Sequence, residues 1–325
     1  MKSLCLVMPT RNRSACVAYY LETLLPVLDR YPIEIVVYDS SDNEETREVV
    51  EGLSHPSIHY DRYVQHGSVS AIDHKVYTAY LKYCGRADYL WFTSDGAVLQ
   101  LAQYYDVILQ LFEQDYDLIV TDCLDCKEQE SREYEDATEL FANCFWFMTL
   151  LSSGISSSRF AKALTEHFPW DENACNNFWI PCAYFRELLL GQYRVCHYAN
   201  NRIYNPNPKR TDSFWKEQKN ALWQWSTYYV EALDAMPSAL DGEQEWVLHS
   251  FDANTGLFSL PGLLRLKENR NLTPSKLRDT KEPLSRVTKT PLWLMQLVTY
   301  CPITGLLKIL RKVVQRIKRK LRGMK

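Results

Sequence analysis

Acidic, basic and hydroxyl side chains gather at three points in the first hundred residues, each just past a short apolar run. Pro9-Thr10-Arg11-Asn12-Arg13 follows Leu4–Met8, Asp39-Ser40-Ser41-Asp42 follows Ile33–Tyr38, and Ser94-Asp95-Gly96 follows Tyr89–Thr93. A carboxylate at such a place accepts hydrogen bonds from a base edge or a diol, or it holds a divalent cation through its oxygens. An ammonium nearby reaches phosphate. The competing use of Asp and Ser after a strand is an N-cap or an Asx-turn. Lys75 lies on a helical stretch after the second cluster and reads either as a phosphate-binding group or as a solvated helix lysine.

Short apolar runs with polar groups past their carboxyl ends are expected of a parallel α/β sheet, which binds ligands in the crevice outside those ends. The intervening segments have helical spacing. Val17, Tyr20, Leu21, Leu24, Leu25 and Leu28 recur within 14–28, residues 43–52 read as a charged helix stopped by Gly52, and 70–84 as a helix closed by Gly85. With a short strand at 58–60, the order is βαβαβαβ, which predicts parallel pairing under layers of helices. A helix over 101–114 and a strand over 118–121 continue it. Further on, 141–151 is apolar and aromatic, Ser152-Ser153-Gly154 is a turn signal, 183–190 reads as a helix and 193–197 as a strand. Asn205-Pro206-Asn207-Pro208 is a strong breaker. Residues 213–236 read as an aromatic-rich helix, and 261–290, polar and punctuated by proline, as a connector. The expected division is a main α/β domain at 1–210, a helical C-terminal extension and connector at 211–290, and a basic amphipathic membrane-association segment at 291–325.

The three clusters resemble the nucleotide-sugar-binding half of family 2 glycosyltransferases, which have the GT-A fold. The resemblance covers roughly residues 3–205 and is carried by Pro9-Thr10-Arg11-Asn12-Arg13, Asp39 and the Tyr89–Leu99 context of Asp95. It implies that Pro9, Thr10, Arg11, Arg13, Asp39, Ser41, Lys75, Ser94, Asp95 and Gly96 bind the nucleotide sugar. Asp95 would be the ligand of Mn²⁺ or Mg²⁺ bridging the donor diphosphate. The family's Asp-rich triplet is here Asp95-Gly96-Ala97, so the metal-binding cluster is depleted. The family also places an acidic general base about six residues before an Arg that is followed, five residues later, by Gly. Arg186 and Gly191 match, but Trp179 and Ile180 stand where the acid should be. The nearest upstream acids, Asp171 and Glu172, are the candidate base, with a helix N-terminal charge cluster as the alternative. Asn176 and Asn177 are candidate acceptor ligands.

The 325 residues carry 37 Lys and Arg against 40 Asp and Glu, for a net charge of −3. From Pro283 to Lys325 there are eleven basic and no acidic residues, so the tail is strongly basic and the remainder acidic. Within 303–322, Ile303, Leu306, Leu310, Val313 and Ile317 recur at helical spacing among eight Lys and Arg. That pattern reads as an amphipathic helix lying on an anionic membrane, with nucleic acid or a docking protein as weaker alternatives; no nucleic-acid partner is expected. Leu292–Val298 is too short to span a bilayer.

Ten scattered cysteines and a five-residue apolar run that starts at Leu4, close behind Lys2, fit a reducing cytosol with no export signal. The Cys123/Cys126 pair has C-x-x-C spacing without a second pair at zinc-site distance. The expected function is transfer of a sugar, with UDP as the favoured carrier, to a lipid-linked glycan in bacterial surface polysaccharide assembly, with inversion, by an enzyme peripheral to the inner face of the cell membrane. The alternative is a catalytically weak relative that binds nucleotide sugars or scaffolds partners there. Oligomeric state is open.

Overall fold

The computed structural model of the chain describes residues 1–64, 71–122, 130–172, 174, 177–210 and 221–301. The chain folds into two compact units, the first comprising Met1–Thr211 with Glu231–Val247, the second Asp212–Val230 with Leu248–Lys325.

The first unit is built on an eight-stranded sheet. In chain order its elements are β1 (Leu4–Thr10), α1 (Ser14–Leu28), β2 (Ile33–Asp39), α2 (Glu45–Leu53), β3 (Ile58–Arg62), α3 (Ala71–Tyr83), β4 (Tyr89–Phe92), β5 (Ala97–Leu99), α4 (Leu101–Glu113), β6 (Leu118–Thr121), β7 (Arg132–Tyr134), α5 (Ala137–Met148), β8 (Gly154–Ser157), α6 (Ser158–His167), α7 (Trp179–Leu190), β9 (Val195–Tyr198) and β10 (Tyr204–Pro206). The sheet order is β3-β2-β1-β4-β8-β6-β9-β7, and β10 pairs with β5 in a separate ribbon. Strands β3, β2, β1 and β4 are all parallel, as the βαβ pattern predicts, and β8 runs antiparallel between β4 and β6.

Every residue of β1 is buried, as a central strand covered on both faces must be. Successive side chains point to opposite faces. Leu4, Leu6 and Met8 join Val17, Tyr20 and Leu24 of α1 and Tyr105, Ile108 and Phe112 of α4 in one core layer. On the other face Tyr80 of α3 stacks on Phe92 at 4.7 Å and shares a hydroxyl contact of 2.6 Å with Tyr184 of α7. Trp91 is fully buried and donates its indole N–H to the Ser152 carbonyl at 2.8 Å.

One segment takes a form that the sequence reading left open, and another differs from the expectation. The aromatic run at 141–151 lies mostly within helix α5, and the turn signal at Ser152-Ser153 leads into strand β8 at Gly154. The expected helical C-terminal extension is present, and residues 261–290 continue it rather than forming a connector. Helices Leu260–Glu268, Pro274–Asp279 and Lys281–Val287 occupy the stretch, and their Leu263, Leu266, Leu277, Leu284 and Val287 are buried. Pro261 and Pro274 sit in first turns, where a missing N–H costs nothing, behind Ser259 and Thr273 whose side chains accept from the helix N–H groups. In this second unit the helix Leu292–Tyr300 buries Met295 and Val298, and the Lys267 ammonium donates to the Val298 carbonyl at 2.6 Å. The stretch 221–228, within the expected 213–236 helix, includes a π-helical turn at Gln224–Tyr228, where Trp225 stacks on Phe251 at 4.0 Å. Among the described residues no helix is long and apolar enough to cross a membrane. The basic segment 303–322, and Cys123 and Cys126, lie outside the described residues.

Asn207, which the sequence marks only as part of a breaker, is buried and joins three parts of the first unit. Its side-chain amide donates to the Cys16 carbonyl and to the Asp95 carbonyl, each at 2.9 Å, and its oxygen accepts from the Lys209 N–H at 3.0 Å. Asn207→Ala should therefore cost about 1–3 kcal/mol, the range for leaving buried carbonyls without donors. Urea unfolding of the full chain measures it, and a loss below about 0.5 kcal/mol, the scatter of ordinary surface changes, would mean that water replaces the amide.

Candidate functional site at the strand ends

Parallel pairing sets Thr10 of β1 opposite Asp39 of β2, and Asp39 opposite Arg62 of β3. The three polar clusters therefore converge at one edge of the sheet. The Thr10 hydroxyl donates to Asp95 Oδ2 at 2.8 Å, and Arg13 donates to Asp95 Oδ1 at 2.7 Å. Lys75 of α3 reaches the same place, and its buried ammonium donates to the Thr10 carbonyl at 2.8 Å and the Ser40 hydroxyl at 3.0 Å. Of the expected donor-site residues, Pro9, Thr10, Arg13, Asp39, Ser41, Lys75, Ser94, Asp95 and Gly96 all lie at this edge. Arg11 lies on its rim, pairing with Asp42 at 3.3 Å. Asn12, in the left-handed region that Asn tolerates, closes the rim through hydrogen bonds with Asp42 in both directions.

Asp39 is fully buried. Its Oδ1 accepts from the Ser41 N–H at 2.8 Å and from the Ser41 hydroxyl, and its Oδ2 accepts from the Tyr60 hydroxyl at 3.1 Å with Arg62 3.6 Å away. The Asx-turn is thus formed, and Tyr60 and Arg62 are its partners on the neighbouring strand. The β3 alternation Ile58, Tyr60, Arg62 was the available signal for them. The Ser94 hydroxyl accepts from the Gly96 N–H at 3.2 Å and shapes the turn between β4 and β5.

Gly96 has a specific spatial reason. A Cβ built there would lie 2.5 Å from Nη1 and 3.1 Å from Cζ of Arg210, so the guanidinium rests against the glycine backbone. The Asn207 N–H bonds the Gly96 carbonyl and the Arg210 N–H bonds the Asn207 carbonyl, each at 3.1 Å, which returns the chain to this spot. Nothing at residue 210 signals this, because the approach depends on a turn far away in sequence. The Cys16 thiol registers the same grouping: burial raises its pKa first, Asp95 adds to that, and Arg13 and Arg210 oppose it.

The residues at Asp95 do not fit a resident Mn²⁺ or Mg²⁺ in this arrangement. Such an ion needs at least one carboxylate oxygen turned to it, with phosphate and water supplying the rest, whereas the Asp95 carboxylate is 4% exposed with both oxygens engaged, one by a guanidinium. Gly96 and Ala97 supply no side-chain oxygen. Among the described residues no three His, Cys, Asp or Glu side chains group as metal ligands.

Asp171 and Glu172 are exposed and follow α6 at the entrance to α7. Asn177 donates to Glu231 at 3.4 Å, and Asn176 lies outside the described residues. At the start of α7, where Trp179 and Ile180 stand at the place expected of an acid, a carboxylate arrives from another helix. Asp73 of α3 accepts from the Trp179 N–H at 3.0 Å. Burial pushes its pKa up to about 7, against the lowering effect of the Trp179 and Phe178 N–H groups.

Burial also pushes Lys75 down to about 8, although Asp39 and Asp95 act to raise it. An anion bound beside it favours the charged form, so the bound state holds more protons than the free state. Diphosphate binding should then take up protons at and above about pH 8 and weaken as pH rises past it. Calorimetry in buffers of different ionisation enthalpy measures the uptake, and Lys75→Met should abolish it. An equal uptake in both proteins would remove Lys75 from the binding surface.

Comparison with known proteins agrees with this geometry. The profile of glycosyl transferase family 2 matches residues 5–174, just over half of the chain. No curated protein sequence matches significantly. Among solved structures, S. aureus TarS residues 1–349 superposes with a TM-score of 0.52 at 12% identity, covering 91% of this chain and 90% of that one. The longer S. aureus TarS structure gives 0.51 at 12% identity, with 91% and 52% covered. The 1–349 form in complex with UDP gives 0.50 at 12% identity, with 91% and 90% covered. At such identity the likeness is one of fold. Together with the family match and the strand-end cluster, it establishes that the chain is a glycosyltransferase of the GT-A fold and belongs to glycosyl transferase family 2.

Proposed function

We propose that this glycosyltransferase moves a sugar from a nucleoside diphosphate carrier to a glycan acceptor, and that the acceptor is lipid-linked. The observation that carries the donor is the convergence of Arg13, Lys75 and Arg210 with Asp39 and Asp95 at the ends of β1, β2 and β4. Cations at such an edge suit a diphosphate, and the neighbouring carboxylate and hydroxyls suit a nucleoside. UDP, the nucleotide in one TarS complex, is the first carrier to try.

In the proposed reaction the acceptor hydroxyl oxygen attacks the anomeric carbon. The bond from that carbon to the diphosphate oxygen breaks, and its electron pair leaves with the diphosphate. A single displacement inverts the anomeric centre, and a carboxylate takes the hydroxyl proton. Asp171 or Glu172 is proposed as that base, with Asn176 and Asn177 as acceptor ligands. The base variant Asp171→Ala or Glu172→Ala should lower turnover by about 10²–10⁴ and leave donor affinity nearly intact. Initial rates on a panel of nucleotide sugars test this; if neither variant loses more than a few-fold, the base is elsewhere. The second reading, a donor-binding relative with weak catalysis, draws on Trp179 and Ile180 at the positions where an acid was expected. It requires that nucleotide sugars bind but be hydrolysed and transferred at no more than a trace rate.

The lipid-linked acceptor and a place at the inner face of the cell membrane rest on the C-terminal region, while a role in bacterial surface polysaccharide assembly follows the family resemblance. Helix Leu292–Tyr300 exposes Trp293, Leu297 and Tyr300 on one face while burying Met295 and Val298 on the other. Trp and Tyr favour the membrane interface, and the basic stretch follows directly. Because Met295 and Val298 belong to the second unit's core, the informative truncation ends at Cys301. That shortened chain should fold and bind nucleotide but lose binding to anionic vesicles, while the full chain binds them less well as salt shortens the Debye length. Equal co-sedimentation of both would shift the tail to a protein partner.

A further inference from the structure

The turn after β4 carries more than the family match accounts for. Asp95 spends both carboxylate oxygens on Thr10 and Arg13, and a second guanidinium, that of Arg210, rests against Gly96. We infer that this enzyme neutralises the diphosphate of its donor with the guanidinium groups of Arg13 and Arg210 in place of a divalent cation.

Three observations converge on this. One carboxylate with two guanidiniums carries a formal local charge of +1, the same as one carboxylate with a divalent ion. The substitution therefore preserves the field that a departing diphosphate meets. Guanidinium groups also match phosphate oxygens in a two-pronged geometry that an ammonium lacks. Finally, both arginines are positioned by the fold. Arg13 is fixed by the buried Asp95, and Arg210 is returned to Gly96 through the Asn207 backbone bonds. Asp95 becomes a positioning residue for Arg13 rather than a metal ligand. When the anomeric carbon–oxygen bond breaks, the electron pair stays on the diphosphate, and its added negative charge lies against the two guanidiniums; no proton or redox partner is required.

The inference rests on the nucleotide-sugar reading, and the test separates the two. Binding of UDP, and of GDP, ADP and CDP in turn, is measured by calorimetry on the full chain with chelator and with Mn²⁺. The expected result is one preferred nucleotide bound with the same affinity, within about twofold, under both conditions. Arg210→Ala should weaken it by about tenfold or more, the loss expected of a charge-assisted hydrogen bond. Gly96→Ala should weaken it comparably, because its Cβ displaces the Arg210 guanidinium while the backbone at 96 needs no positive φ. Thermal unfolding of each variant establishes that it is folded, and Arg210→Lys, keeping charge but not the fork, should recover only part of the affinity. Affinity that depends on Mn²⁺ in the parent and loses that dependence in Asp95→Asn overturns the inference and leaves the nucleotide-sugar reading standing. Failure of every nucleotide to bind under either condition overturns both.

Discussion

Thr10 is the residue on which the strand-end site depends. It ends the buried central strand β1, so its position is fixed by a core layer on each side. Its hydroxyl orients Asp95 on β4's turn, and its carbonyl accepts from Ser40 after β2 and from Lys75 on α3. Three elements that meet nowhere else in sequence are registered against a single residue. The low exposure of these groups makes each such bond consequential, because an unpaired polar group there has no water to fall back on.

That arrangement has an electrostatic reading. Asp39 and Asp95 are both buried and both satisfied from within, by hydroxyls, N–H groups and guanidiniums. They thereby act as internal counter-charges that let Arg13, Arg62 and Lys75 be held close together at one edge. Without them the mutual repulsion of the cations and the burial of Lys75 would disfavour the charged state. The site is a lattice of alternating opposite charges, with Arg13 beside Asp95 and Arg62 beside Asp39.

The first four parallel strands and the helices between them were legible because apolar runs and helical spacing alternate cleanly there, and the polar residues at the strand ends marked the crevice. The antiparallel strand β8 was not legible: Gly154 follows a Ser-Ser turn signal, and a four-residue strand carries little period of its own. Helices at 260–287 were read as a connector because Pro261 and Pro274 look like breakers unless the caps Ser259 and Thr273 are recognised. In the site, the local residues were legible and the distant ones were not. Arg13 and Asp95 sit in recognisable clusters, whereas Asn207, Arg210 and the approach of Asp73 to Trp179 depend on tertiary return paths that no local pattern encodes.

The sheet order has a bearing on how the molecule matures during synthesis. Strand β9 lies inside the sheet, between β6 and β7, and β10 pairs with β5 beside the Asp95 turn. Both come from beyond residue 174, where the family match ends. A nascent chain that has emerged only that far has an unfilled slot beside β6 and lacks the arginine that covers Gly96. The strand-end cluster is thus completed by strands made after the family-matched segment, and a fragment cut at the family boundary exposes an open sheet edge, which is a template for aggregation.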